Sequence, residues 1–319
     1  MTELEFRTEN FEDFYELTDD VLGNGRFSVV WRCAEIATGR EYAAKIIKKK
    51  RYKSSSRRGA LSIDDIKREA AILNDLAHEN VISIHDAFEN GNQVVLVLEL
   101  VTGGELFEYL SEKDHLTEAE AVAFLKQILT GVKHMHEKNI AHLDLKPENI
   151  MLMNHGSNVL KLIDFGLSKR MAPNEELREM MGTPEFVAPE VINFEPLSVN
   201  TDMWSIGVIA YLLVSGRLPF HAENKQATYA KISANDYRFA EDEFASVSER
   251  AKDFIARLLV KDPRRRMDVR ACFEHPWMKA ADDDVTGRKQ ELLIKLEAMD
   301  IKSLRTYVTN KRINLAYRS

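Results

Sequence analysis

The placing of apolar residues makes the first third of the chain read mainly as strands. Residues 20–34 and 40–47 are rich in Val, Ala, Ile and aromatics, with the turn signal Thr38-Gly39 between them, which predicts strands. Ile63, Ile66, Ala70, Leu73 and Ala77 then recur at helical spacing, predicting a helix over 63–76. Two short apolar strands follow at 81–87 and 94–100, joined by the turn Glu89-Asn90-Gly91-Asn92. From Leu106 onward the period is helical. Thr117 with Glu120 three residues later forms a capping box that opens a long helix through about His136. Further helices are predicted around 199–215, 224–234 and 248–260, and no internal repeat is visible. The expected architecture is α+β: a small sheet-rich lobe reaching about residue 101, joined near Thr102-Gly103-Gly104 to a larger helical lobe.

Composition narrows the function classes. The chain has 319 residues and a formal charge of −7, with 45% apolar and 8% aromatic residues, which is globular and long enough for two lobes. A net acidic balance argues against general nucleic-acid binding. Cys33 and Cys272 make no disulfide framework, which suits a reducing compartment. Residues 94–101, the longest apolar run, are interrupted by Glu99 and too short to span a bilayer. The acidic N-terminus lacks the order of a signal peptide, so a cytoplasmic location is expected. The charge is uneven. Residues 48–58 hold seven basic residues and no acid, and residues 302–319 hold five and no acid. With +7 and +5 so placed in a total of −7, the remainder of the chain carries about −19.

Several motifs bear chemistry. Gly23-Asn24-Gly25 lies between predicted strands, where glycines let backbone N–H groups approach a polyphosphate. Lys45 stands in the apolar run Tyr42-Ala43-Ala44-Lys45-Ile46, and a buried ammonium needs an anionic partner. Glu69 in the next helix is one candidate, ATP phosphates another. His142-Leu143-Asp144-Leu145-Lys146-Pro147-Glu148-Asn149 sets a carboxylate, an ammonium and an amide within a few positions. Asp164-Phe165-Gly166 follows twenty residues after Asp144. A base, a phosphate-binding lysine and two oxygen donors suited to Mg²⁺ are the inventory of phosphoryl transfer.

In this order and spacing, these residues resemble a eukaryotic protein kinase over residues 15–278. The resemblance implies the two-lobed kinase fold and the use of ATP and Mg²⁺. Leu22, Gly23, Gly25, Val30 and Ala43 would then line the nucleotide site, and Lys45 would contact the phosphates and pair with Glu69. Leu98 would be the gatekeeper, with Glu99 and Val101 facing the adenine through backbone groups. Asp144 would accept the substrate hydroxyl proton and Lys146 would steady the γ-phosphate. Asn149 and Asp164 would hold the metal. Gly182-Thr183-Pro184-Glu185 and Ala188-Pro189-Glu190 match the end of an activation segment. Asp202 and Trp204 match the centre of the large lobe, and Arg266 matches the partner of Glu190. Glu105 and Glu148 stand where similar kinases receive a basic residue upstream of the target hydroxyl, and both also belong to the expected nucleotide-side set. Lys146 in the catalytic loop is typical of Ser/Thr specificity.

Departures from the kinase pattern bear on control. Ser28 replaces the third glycine of the loop. Leu143 stands where regulated kinases carry the arginine that receives an activation-loop phosphate, and residues 169–181 contain no Ser, Thr or Tyr. Control is therefore expected in the 41 residues after Met278. Asp282, Asp284, Thr286 and Gly287 imitate an EF-hand start, but Leu293 occupies the closing Glu position, so calcium binding there is rejected. Leu292, Leu296 and Met299, then Leu304, Tyr307, Val308 and Ile313, form an apolar pattern flanked by basic residues. Such a helix reads as a calmodulin target, a membrane-surface element or a packing helix.

The basic stretch 48–58, together with Asn149-Ile150-Met151-Leu152 and the run Gly182 to Glu190, resembles the death-associated protein kinase family. That resemblance implies an autoregulatory, calmodulin-binding helix within 290–319, a possible homodimer contact through 48–58, and myosin light chain among the substrates, with a cytoskeletal association. Ile313 stands in place of the family's tryptophan anchor, and Ala316 in place of an autophosphorylated serine. The expected units are an N-terminal extension 1–13, a kinase domain 14–278 and an autoregulatory segment 279–319. The alternative is a pseudokinase scaffold binding partners through loop and tail, against which intact Lys45, Asp144, Asn149 and Asp164 weigh.

Overall fold

The computed structural model describes residues 4–25, 28–49, 62–113, 116–172, 175–279, 299 and 301–316, the last four of these in backbone only. Most of the basic stretch 48–58, the EF-hand-like residues 282–287 and the expected helical face at Leu292 and Leu296 lie outside the described residues. So do the side chains of Ile313 and Ala316.

Five antiparallel strands build the small lobe: β1 (Tyr15–Asn24), β2 (Ser28–Glu35), β3 (Glu41–Lys48), β4 (Ile84–Glu89) and β5 (Gln93–Leu98), in the order β1-β2-β3-β5-β4. The predicted segment 20–34 resolves into the end of β1, the glycine turn and β2. The predicted strand at 81–87 begins only at Ile84. Val81 and Ile82 instead pair with Leu162 of the large lobe, so this stretch ties the lobes together. Between β4 and β5, Asn90 Oδ1 accepts the N–H groups of Asn92 and Gln93, closing the expected turn. Helix α1 (Ile63–Asp75) opens with a capping box of Ser62 and Asp65, and its buried face carries Ile66, Glu69, Ala70, Ile72 and Leu73. A carboxylate on that face is the anomaly that the apolar period alone does not reveal.

Residues 4–13 are packed onto the sheet and not detached from it. Arg7 bridges Phe88 beside the edge strand β4, and Phe11 is buried against Tyr15 and Phe88.

In the large lobe α2 (Leu106–Glu112) and the capped α3 (Glu118–Glu137) lead into short strand pairs, β6 (Ile140–Ala141) with β9 (Lys169–Arg170) and β7 (Ile150–Leu152) with β8 (Leu160–Leu162). Then follow α4 (Pro189–Ile192), α5 (Asn200–Ser215), α6 (Lys225–Ala234), α7 (Glu241–Phe244), α8 (Glu249–Leu258) and α9 (Val269–Glu274). Ser248, Asn224 and Asp268 cap α8, α6 and α9 with side-chain oxygens. Helix α5 is apolar all round and buried along its length, as a central helix must be. Arg266 and Glu190 are both fully buried and joined by two bonds of 2.8 and 2.9 Å, and Arg266 also donates to the carbonyls of Val260 and Asn200. The pair predicted from the sequence thus pins α4 to the base of the lobe.

Helix α10 (Lys302–Ala316) lies against α2 and α5. Met299, Ile301, Leu304 and Val308 are buried there, each contributing about 2 kcal/mol by the usual scale of apolar burial. Gly216, which ends α5 at φ +68°, leaves no room for a side chain: a Cβ would stand 2.3 Å from Leu304 N. Among the described residues no helix is long and apolar enough to cross a membrane.

Candidate active site

A cleft of about 1120 Å³ opens between the lobes. Leu22, Gly23, Gly25, Val30, Ala43, Lys45, Leu98, Glu99, Val101, Asn149 and Asp164 all line it, eleven of the thirteen residues predicted for the nucleotide side. The Gly25 N–H bonds Ser28 O at 2.8 Å, closing the turn between β1 and β2. A Cβ at Gly23 would meet no protein atom within 4 Å, so packing does not demand glycine there, whereas close approach of a ligand would. Glu99 turns its carboxylate away, to Lys161 at 2.9 Å and to Ser83, so it can address the cleft only through its backbone. Among the described residues no backbone hydrogen bond uses the N–H or C=O of Val101, a free edge suited to a flat heteroaromatic ring. Met151 and Ile163 are among the further apolar lining residues, and the sequence does not announce them because they sit on β7 and beside β8, elements too short to show a period.

Strand β3 and helix α1 bring Lys45 Nζ to 2.6 Å from Glu69 Oε1, with Asp164 Oδ1 at 3.9 Å. The lysine is thus compensated, as its place in an apolar run requires. Burial pushes the Asp164 carboxyl up, but the charges of Lys45, His142 and Lys146 and the Gly166 N–H prevail and hold it below the usual carboxylate range. It stays ionised with about half of its side chain open to the cleft. Asp164 is itself in the left-handed region, at φ +60°.

The loop from His142 to Asn149 is anchored from α5. Asp202 Oδ2 accepts the His142 N–H at 2.9 Å and stands 2.9 Å from His136 Nε2, while Oδ1 accepts the Leu143 N–H at 2.8 Å. These bonds hold Leu143 at φ +64°, a conformation costly for a leucine. The turn brings Asp144 to Lys146 and Thr183: it accepts from Lys146 at 2.5 Å and from Thr183 at 2.8 Å, and Lys146 also donates to Thr183 at 3.0 Å. Thr183 is the residue sequence reading underrated, because its role depends on a contact 39 positions away. Asn149 Nδ2 donates to the Asp144 carbonyl at 2.9 Å, and among the described residues its Oδ1 accepts nothing. An ionised carboxylate and an open amide oxygen on one wall are hard donors, a set that fits Mg²⁺.

Glu105 and Glu148, expected on the nucleotide side, do not line the cleft. They face α10: Lys311 Nζ lies 2.6 Å from Glu105 Oε2 and 3.5 Å from Glu148 Oε1, and Arg312 meets Glu108 at 2.8 Å. Glu105 immediately precedes α2 and Glu148 lies in the turn before β7, and Lys311 of α10 joins the two. Burial, with Glu148, Glu185 and Glu105 nearby, pushes the Tyr307 phenol far up.

Leu143 is buried in the core and cannot present a cation to a phosphate. Ser168 is also buried, with its hydroxyl on the His142 carbonyl, and Thr183 is engaged by Asp144 and Lys146.

The sequence matches the family model "Protein kinase domain" over residues 17–278. Human "Death-associated protein kinase 2" is 49% identical over 294 residues, covering 92% of this chain and 79% of that protein. Human "Myosin light chain kinase family member 4" is 45% identical over 267 residues, covering 83% and 67%. Among solved structures, the twitchin kinase region of C. elegans superposes with a TM-score of 0.85 at 36% identity, covering 99% of this chain and 52% of that one. The two-lobed fold, the shared catalytic motifs and the extent of these matches make the chain a Ser/Thr protein kinase of the death-associated protein kinase family.

Proposed function

We propose that the chain transfers the γ-phosphate of ATP to Ser or Thr hydroxyls of proteins with a basic residue upstream, and that its tail occupies the same acidic site until Ca²⁺/calmodulin removes it. The observation that carries this reading is the seat of Lys311 on Glu105 and Glu148. Two carboxylates on one ammonium form the receptor a substrate Arg or Lys would need, and an Arg would add bidentate geometry. The tail and a substrate then compete for one charge.

Catalysis on this reading is positioning and charge neutralisation. Lys45, fixed by Glu69, binds the phosphates, while Leu22, Val30 and Ala43 exclude water around the base. Asp144 accepts the hydroxyl proton at its carboxylate, and Lys146 neutralises the moving phosphoryl charge. Asn149 and Asp164 would hold Mg²⁺, which when bound supplies Lewis-acid neutralisation of the phosphate oxygens. Thr183 bridges Asp144 and Lys146 and must yield one bond to an incoming hydroxyl. Loop phosphorylation is not the switch, given buried Leu143 and the engaged hydroxyls of Ser168 and Thr183.

The test compares the full chain with a chain ending at Met278, on a basic peptide without calmodulin. The shorter chain should be faster, and equal rates would sink the autoinhibition. Retention of the full chain on immobilised calmodulin only with Ca²⁺ tests the second half.

A further inference from the structure

Glu89 ends β4, and everything around it converges. Its N–H donates to Arg7 O at 2.8 Å, so the N-terminal segment fixes its backbone. Its carboxylate meets two ammonium groups from two elements: Lys49 Nζ at 2.8 Å on Oε1 and Lys67 Nζ at 2.8 Å on Oε2. Lys49 directly follows β3, four residues after Lys45. Lys67 lies on α1, two residues before Glu69. Hydrogen bonds from Lys49 and Lys67 hold the Glu89 carboxyl below the usual carboxylate range, against a smaller effect of burial. The N-terminal segment is itself clamped. Arg7 N–H donates to Ala87 O at 2.9 Å, and its guanidinium pairs with Asp86 at 2.8 Å and lies 3.7 Å from the Phe14 ring centroid. Phe6 packs against the core with its ring 5.5 Å from Lys67 Nζ.

We propose that Glu89 is a positioning residue for phosphoryl transfer: one carboxylate, seated by the N-terminal segment at Arg7, ties the strand that carries Lys45 to the helix that carries Glu69. The two elements share no strand ladder; the Lys45–Glu69 pair joins them on one side, and the Glu89 carboxylate adds a second tie through Lys49 and Lys67. Neither Glu89 nor its two lysine partners are among the residues lining the cleft. Glu89 touches neither nucleotide nor substrate, and its effect on rate passes through the Lys45–Glu69 pair. This inference rests on the role given to that pair above.

The test uses the full chain in four forms: wild type, Glu89→Gln, Glu69→Gln and the double variant. Glu89→Gln keeps the side-chain shape and the backbone bond to Arg7 and removes only the charge. Both kcat/KM for ATP on a basic peptide and affinity for a fluorescent ADP are read. Glu89→Gln should lower kcat/KM about fivefold, the scale of one or two partly exposed ion pairs. In the Glu69→Gln background the same change should have no further effect, because the pair it positions is already gone. Equal fold-losses in both backgrounds, or no loss in the wild-type background, overturn the proposal. If Glu69→Gln alone leaves kcat/KM unchanged, it is the role of the Lys45–Glu69 pair that fails. Should Glu89→Gln lower the melting midpoint, Lys67→Met, which cuts only the α1 arm, must reproduce the same non-additivity for the proposal to stand.

Discussion

Replacing Lys311 with Ala is the sharpest way to separate a tail that brakes the enzyme from one that merely packs. Lys311 is 16% exposed, and its partners Glu105 and Glu148 are 26% and 30% exposed. An exposed pair is worth up to about 1 kcal/mol and breaking a buried one about 3–5. These exposures place the contact near the lower end, about 1–2 kcal/mol. If the rate without calmodulin follows the fraction of molecules with the acidic site free, that loss raises it about five- to thirtyfold. The apolar anchors at Met299, Ile301, Leu304 and Val308 remain, so Lys311→Ala loosens the distal half of α10 and leaves it tethered. Leu304→Ala, at a fully buried position, should cost about 2–4 kcal/mol and activate more strongly. The assay is the initial rate on a basic peptide in EGTA, with the chain ending at Met278 as the ceiling. Glu105→Gln supplies the internal control. It should also release the tail, yet raise the KM of an Arg-bearing peptide, whereas Lys311→Ala should not. A Lys311→Ala chain with unchanged basal rate, while the truncated chain is fast, would refute the shared-site reasoning and leave only apolar packing as the brake.

Asp144→Ala should abolish phosphate transfer while the affinity for a fluorescent nucleotide stays within about threefold, because the residue is not among those lining the nucleotide cleft. Arg266→Met should cost about 3–5 kcal/mol in urea unfolding, since it strands Glu190 as a buried, uncompensated carboxylate; Arg266→Met with Glu190→Leu should recover much of that. Thr117→Ala should cost about 1 kcal/mol by removing the cap of α3. The same cap gives a pH signature. Burial pushes the Glu120 carboxyl up, but hydrogen bonds from Lys113 and Thr117 prevail and hold it below its usual 4.5. A depressed carboxylate stabilises the fold above that value, and the contribution disappears as pH falls through the folded value. The Thr117→Ala difference in melting midpoint should therefore shrink below about pH 4.5.

The two-lobed architecture was legible from local signals: α3 announces itself by its capping box and spacing, and β5 by its run of Val and Leu. The catalytic set was legible for a different reason, since Asp144, Lys146, Asn149 and Asp164 lie within about twenty positions and chemistry constrains their order. What escaped was whatever depends on partners distant in sequence. Thr183 looks like an ordinary loop residue until its hydroxyl is found between Asp144 and Lys146. Glu89 looks like a turn residue until Lys49 and Lys67 arrive on it from two other elements. Glu105 and Glu148 were assigned to the nucleotide side as well as the substrate side, and only three-dimensional placement separates the two faces of the catalytic loop.

That separation bears on how such an enzyme is held off. A kinase whose activation segment receives a phosphate can rest with its catalytic residues apart. Here the parts are already together: Lys45 on Glu69, Asp144 on Lys146, and Leu143 held in a strained turn by Asp202 without any phosphate-binding cation. The positive φ at Leu143 is held by its N–H bond to Asp202 and by the burial of its side chain. On the proposed reading such an assembled site is restrained by blocked access, and α10 has two attachments through which to do so. Its first half is buried in the large lobe against Gly216. Its second half is held by charges that a substrate would contest. On the proposed reading, a ligand that captures the basic second half would free the acidic site while the apolar first half stays seated, so release would be a local event and not an unfolding of the lobe.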